Sequence, residues 1–222
     1  MSDSFPFNPA MVTMLIVAVV IGFIVLGHFL EKRRTEALRA FATSRRFEFA
    51  ETDTGMLGGV PFKTLSRGRS QRIDNVIRGT LNGIELVLCD FRYVSGSGKN
   101  RRTNRRSLCL LRTPGHAAPP FFARRQIALF DGLGKLFGGQ DINFPEDQAF
   151  SEAYVLQTSG DEGELRRFMN AKTRGAFIRL KDQRFTVENI GDQVLVENSR
   201  RLKVHQLDLF LTNAMTLRAA WS

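Results

Sequence analysis

Residues 73–93 read IDNVIRGTLNGIELVLCDFRY, and the pair at their centre, Asn82 and Gly83, decides the fold class. Both residue types tolerate the positive φ angles of a tight type I′ turn, so Ile73–Leu81 and Ile84–Tyr93 are expected to fold back on each other as an antiparallel hairpin. The second strand holds the continuous apolar run Leu86–Cys89, the pattern of a strand covered on both faces midway.

Downstream, Ser107–Arg112 (SLCLLR) reads as the next strand, and the connection Ser95–Arg106 (SGSGKNRRTNRR) carries five basic residues and no acid. A hairpin symmetric about position 99 sets Cys89 opposite Cys109, as neighbouring reduced thiols packed like small apolar side chains. These two cysteines are too few for a disulfide scaffold and lack the paired spacing of a zinc site, which agrees with a reducing compartment.

Further along, Pro114–Pro120 (PGHAAPP) is expected to end the meander. Residues 121–139 then carry Ile127, Phe130, Leu133, Leu136 and Phe137 at a short helical spacing weakened by Gly132 and Gly134. Such a segment either joins the core or dips into a lipid interface, with Arg124, Arg125 and Lys135 at the headgroups. Phe150 and Tyr154 lie four apart on a short turn, and Val155–Thr158 reads as a strand. Ser159–Glu162 reads as a capping box opening a helix that points Leu165, Phe168 and Met169 inward. Arg184–Ile190 and Gln193–Glu197 form a second hairpin turning at Gly191-Asp192. Lys203–Trp221 reads as a helix with Leu207, Phe210, Leu211, Ala214, Leu217 and Trp221 on one face.

Upstream, the three glycines of Thr52–Gly59 break any helix, and Glu31–Arg46 has the apolar spacing Leu38, Phe41, Ala42 of a helix. Before it, Ala10–Leu30 is a run of 21 residues without charge. At about 1.5 Å per residue it spans roughly 30 Å, the thickness of a bilayer's hydrocarbon, so the juxtamembrane helix continues a transmembrane one. Asp3 precedes the run and Glu31-Lys-Arg-Arg34 follows it, the reverse of a cleaved signal peptide. Lys32, Arg33, Arg34 and Arg39 just after the span mark that flank as cytoplasmic, which puts the N-terminus outside and residues 31–222 inside.

The net charge of +10 is uneven: residues 31–125 hold 20 Lys and Arg against 8 Asp and Glu, residues 126–222 hold 12 against 13. The expected organisation is an extracytoplasmic tail at 1–9, a transmembrane helix at 10–30, a juxtamembrane helix at 31–46, a basic β-meander part at 47–125 and an α+β part at 126–222. The fold class is α+β, with antiparallel hairpins and flanking helices.

Chemistry-bearing motifs are sparse. Gly98-Lys99 resembles the end of a phosphate-binding loop, but that motif needs Gly where Tyr93 stands and Ser or Thr where Asn100 stands. His28, His116 and His205 are scattered, so an enzyme would require Asp141, His116 or His205 to converge in a cleft. Asp141, Glu146 and Asp147 lack the spacing of a calcium loop. No cofactor and no metal site is indicated.

The basic connection is either a solvated turn or a contact for anionic lipid headgroups, an acidic protein partner or nucleic acid. Nucleic acid is disfavoured because no aromatic platform beyond Phe91 and Tyr93 adjoins it. The candidate contact residues are Lys99, Arg101, Arg102, Arg105 and Arg106, with Arg33 and Arg34 assisting at the anchor.

The blocks IRGTLNGIELVLCDFRYVSGSGKNRRT and DINFPEDQAFSEAYVLQTSGDEGELRRFM, behind an anchor followed by EKRR, resemble a group of bacterial membrane-anchored proteins with a cytoplasmic domain of unknown function. The resemblance covers residues 65–198, with Phe144-Pro-Glu146, Phe150 and Tyr154 at the group's second motif. It implies a single-pass protein of the bacterial inner membrane and supplies no catalytic residue. The expectation is a membrane-tethered binding or scaffolding module, with an enzyme as the opposing class.

Overall fold

The computed structural model describes residues 9–59, 61–126 and 141–221. One helix, α1 (Pro9–Ser44), contains both the apolar run and the juxtamembrane segment without a break. Its apolar half is exposed along its length and long and hydrophobic enough to cross a membrane. Its C-terminal half packs on the domain, burying Leu38, Phe41 and Ala42.

Among the described residues eight strands form one antiparallel sheet: β1 (Glu48–Thr52), β2 (Arg69–Leu81), β3 (Ile84–Ser95), β4 (Arg102–Arg112), β5 (Ala118–Arg125), β6 (Tyr154–Gln157), β7 (Phe185–Gly191) and β8 (Gln193–Asn198). Their spatial order is β1-β2-β3-β4-β8-β7-β5-β6. The short helices α2 (Gly55–Gly58), α3 (Gln148–Ala153), α4 (Glu162–Phe168) and α5 (Ala171–Arg179) precede the C-terminal helix α6 (Leu207–Ala219). The architecture is the α+β class read from the sequence.

The Asn82-Gly83 turn forms as expected, with φ of 53° and 76° and Leu81 opposite Ile84. The second hairpin also turns where expected, with Ile190 opposite Gln193. α6 buries Leu207, Phe210, Leu211, Ala214 and Leu217, and Trp221 packs half-buried just beyond its end.

Both faces of the sheet are covered, which explains the apolar run in β3. Leu86 and Leu88 face the main core with Leu38, Phe41, Cys109, Val196 and Phe210. Cys89, Phe91 and Leu108 face a smaller core closed by Phe62 and Leu65 from the chain between α2 and β2.

Some expectations are corrected. The glycines of Thr52–Gly59 do not exclude helix, since Gly55–Gly58 forms the single turn α2. The β3–β4 register pairs Cys89 with Leu108 and Leu88 with Cys109. The hairpin centre therefore lies half a residue from position 99, and because side chains alternate along a strand the two thiols fall on opposite faces. Pro114–Pro120 ends the β1–β4 meander as expected, since β4 pairs onward with β8 and not with β5, and the chain then re-enters the same sheet as β5. Pro119 and Pro120 sit at a register shift in β5, where Asn189 Nδ2 donates to the Ala118 and Pro119 carbonyls at 2.8 and 3.0 Å. The missing proline N–H groups are thus accommodated at an irregularity, as sheet prolines require. The helix after residue 159 is capped by Asp161, whose carboxylate accepts from the Glu164 N–H at 2.6 Å, in place of Ser159. The expected helical segment also begins later than 121, because residues 121–125, with Arg124 and Arg125, are the end of β5 between β6 and β7; the spacing Ile127–Phe137 and its contact with lipid lie outside the described residues.

Candidate functional site

Arg34 is one turn from Leu38 toward the apolar segment, and there α1 passes over the carboxylate of Asp90 on β3. The guanidinium donates to both Asp90 oxygens at 2.7 Å and to the Leu202 carbonyl at 2.7 Å. The two side chains are only 11% and 10% exposed, so this fork geometry is an internal clamp. Asn75 Nδ2 adds a third donor to Asp90 at 3.0 Å.

Almost one turn further, Glu31 accepts from Arg201 at 2.6 Å and faces Arg105 of β4 at 3.5 Å. The hydrogen bond from Arg201 holds the Glu31 carboxyl below its ordinary range, aided by the nearby positive charge of Arg105 and Arg34. These contacts give α1 and the β3–β4 hairpin a common direction. Passing from Leu38 to Arg34 to Glu31 matches passing along the strands to Asp90 and then to Arg105, which pairs with Arg92. The hairpin continues beyond Arg105 to the Ser95–Arg102 pair, three residues or about 10 Å further toward the apolar end of α1.

The tip is a defined turn. Gly96 has φ of 71°, and a Cβ there would lie 2.3 Å from the Asn100 carbonyl oxygen, so no other residue fits without displacing the backbone. A short 3₁₀ turn at Gly98–Asn100 follows and leads into β4.

The seven basic residues expected to form one contact separate into distinct settings. Lys99, Arg101 and Arg102 are exposed at the tip and have no acidic partner among the described residues. Arg105 faces Glu31 on the α1 side of the sheet. Arg106 points to the opposite face, where it shares the buried Glu197 with Arg67 at 3.2 and 2.7 Å. Arg33 lies exposed over the ring of Phe29, 4.6 Å from its centroid, while Arg34 is the internal clamp.

Between α1 and strands β1–β4 lies a cleft of about 380 Å³ lined in part by His28, Glu31, Arg72, Asp74, Arg92, Arg105 and Arg201. His28 is in the last turn of the apolar run, so the cleft lies beside the point where α1 leaves that run. Sequence reading missed Arg72, Arg92 and Arg201. For Arg72 and Arg92 the signal was the alternation Arg72-Ile73-Asp74 and Asp90-Phe91-Arg92, which sets charges on one face of adjoining strands; Arg201, in the chain after β8, carried none.

The residues an enzyme would need do not converge. Asp141 accepts from Gln157 at 2.8 Å, His116 Nδ1 lies 3.3 Å from the Pro114 carbonyl in the β4–β5 connection, and His205 is exposed just before α6. No group of three or more metal-ligating side chains occurs among the described residues.

No family model and no curated protein matches the chain. Among solved structures, the fold is similar to the mycobacterial trehalose monomycolate transport factor A, TtfA, with a TM-score of 0.59 at 12% identity, over 84% of this chain and 93% of that one.

Proposed function

We propose that this chain is a membrane-tethered binding or scaffolding module of the bacterial inner membrane, with its N-terminus outside and its domain cytoplasmic, and that the β3–β4 tip contacts the anionic leaflet. The observation that carries the reading is the tip itself. Lys99, Arg101 and Arg102 have no acidic partner among the described residues, and their hairpin runs beside α1 toward its apolar segment. A Lys or Arg near an anionic leaflet contributes on the order of 1 kcal/mol, and the tether removes most of the cost of bringing the tip there. Lys32, Arg33, Arg34 and Arg39 support the orientation. A fold shared with a protein named as a trehalose monomycolate transport factor agrees with work at a membrane.

The test labels Ser97→Cys with a fluorophore in the full chain, reconstituted in nanodiscs containing spin-labelled headgroups. Quenching is expected in phosphatidylglycerol discs, and much less of it in neutral phosphatidylcholine discs or after Lys99, Arg101 and Arg102 are changed to Gln. Absence of quenching in every disc would overturn the lipid contact and leave a solvated turn, an acidic protein partner or nucleic acid. Quenching independent of lipid charge would remove the electrostatic basis.

A further inference from the structure

Arg72, Arg92 and Arg105 stand in one row across three adjacent strands: Arg72 is directly opposite Arg92 in the β2–β3 register, and Arg92 is directly opposite Arg105 in the β3–β4 register. All three line the cleft under α1, and Arg201 joins them from the chain after β8. Like charges directly opposite on one face of a sheet destabilise it. The row therefore needs compensation, and the acids around it supply only part. Glu31 is taken by Arg201 and Arg105, Asp90 by Arg34 and Asn75, Asp74 by Arg72 and Glu51 by Arg39. Arg92, the middle member, has no acidic partner among the described residues and is half-buried.

The row also depends on a built irregularity. Near the Asn-Gly turn, β2 and β3 pair in the register Arg78 with Val87 and Ile77 with Leu88, which carried forward would set Arg72 opposite Tyr93. A bulge at Asn75, with φ of 54° and the side chain held by Asp90, shifts the pairing by one residue and turns Arg72 onto the face of Arg92.

We propose that this cleft is a specific site for the phosphate of an anionic phospholipid headgroup, with Arg92 at its centre and Arg72 and Arg105 on either side. Guanidinium groups bind phosphate oxygens by paired hydrogen bonds, and a phosphate between opposed arginines converts their repulsion into shared attraction. The lipid source follows from position: His28 and Glu31 line the cleft where the apolar run of α1 ends, the level of the headgroups. The proposal shares with the reading above the membrane placement of this end of the domain, but not the contact of the tip with lipid.

The test follows the thermal midpoint of the full chain in neutral maltoside micelles as dihexanoyl phosphatidic acid is added. A saturable rise is expected with phosphatidic acid and none with dihexanoyl phosphatidylcholine. Arg92→Gln is expected to weaken the apparent affinity at least tenfold, with a lipid-free midpoint no lower than that of the parent because the repulsion is relieved. Arg92→Lys keeps the charge without the fork and should bind several-fold more weakly than the parent. Changing Lys99, Arg101 and Arg102 to Gln should leave the rise within twofold, which separates this site from the tip. An equal rise with inorganic phosphate at the same concentration would make the site one for soluble phosphate and overturn the lipid assignment. No rise, or a rise undiminished in Arg92→Gln, would overturn the site. A lowered lipid-free midpoint in Arg92→Gln would overturn the argument from repulsion.

Discussion

Arg33 and Arg34 follow one another in a run of three cations, yet one lies exposed over Phe29 and the other reaches 168 residues along the chain to the Leu202 carbonyl while clamping Asp90. Removing Arg34 would leave Asp90 buried without its counter-ion, a loss of roughly 3–5 kcal/mol for a pair this enclosed. Arg34→Ala is therefore expected to lower stability by that order in denaturant titrations of the full chain in micelles. Arg33→Ala should stay within about 0.5 kcal/mol of the parent, as exposed substitutions do. If the two variants behaved alike, Arg34 would belong with the surface cations and not with the core. Composition could not separate them, because both fit the cytoplasmic flank of a membrane span equally well. What distinguishes them is the 100° that one residue turns on a helix, set against an acid from β3 that only the assembled sheet brings into reach.

The β3–β4 hairpin makes the same point for elements. Its strands were legible from Leu86–Cys89 and Ser107–Arg112, but its register was not, because the tip holds two glycines of positive φ and a 3₁₀ turn that sequence spacing does not count. The Asn82-Gly83 turn was readable because two residues fix its geometry. β5 was hidden by its prolines, and the insertion of β8 between β4 and β7 depends on pairing across most of the chain. The register has a chemical outcome at Cys89 and Cys109, which lie on opposite faces, each fully enclosed. Burial pushes both thiols well above their ordinary range, so they stay protonated at pH 8. A thiol reagent at pH 8 is expected to modify neither in the native protein within minutes and both in guanidinium. Oxidation should yield no internal disulfide, and finding one without unfolding would contradict the register.

At the scale of the molecule, α1 is anchor and core element at once: its apolar half is exposed and its other half buries Leu38, Phe41 and Ala42 in the main core. Burying a Leu or Phe side chain contributes about 2 kcal/mol, and the Arg34 clamp lies on the same stretch. A fragment starting at residue 31 is therefore expected to fold, with a cooperative thermal transition and a monomeric elution profile. One starting at residue 47 should aggregate or melt far lower, and equal behaviour of the two would show that α1 is dispensable to the core. Continuity of the helix also means that no flexible joint separates bilayer from domain. A tilt of α1 imposed by a thinner or thicker bilayer is transmitted undiminished, as by a lever. With an arm of about 30 Å, the rough diameter of a small domain, a 10° change in tilt moves the far side of the domain by about 5 Å. The domain therefore follows any tilt of α1 as one body, with no change inside the domain at all.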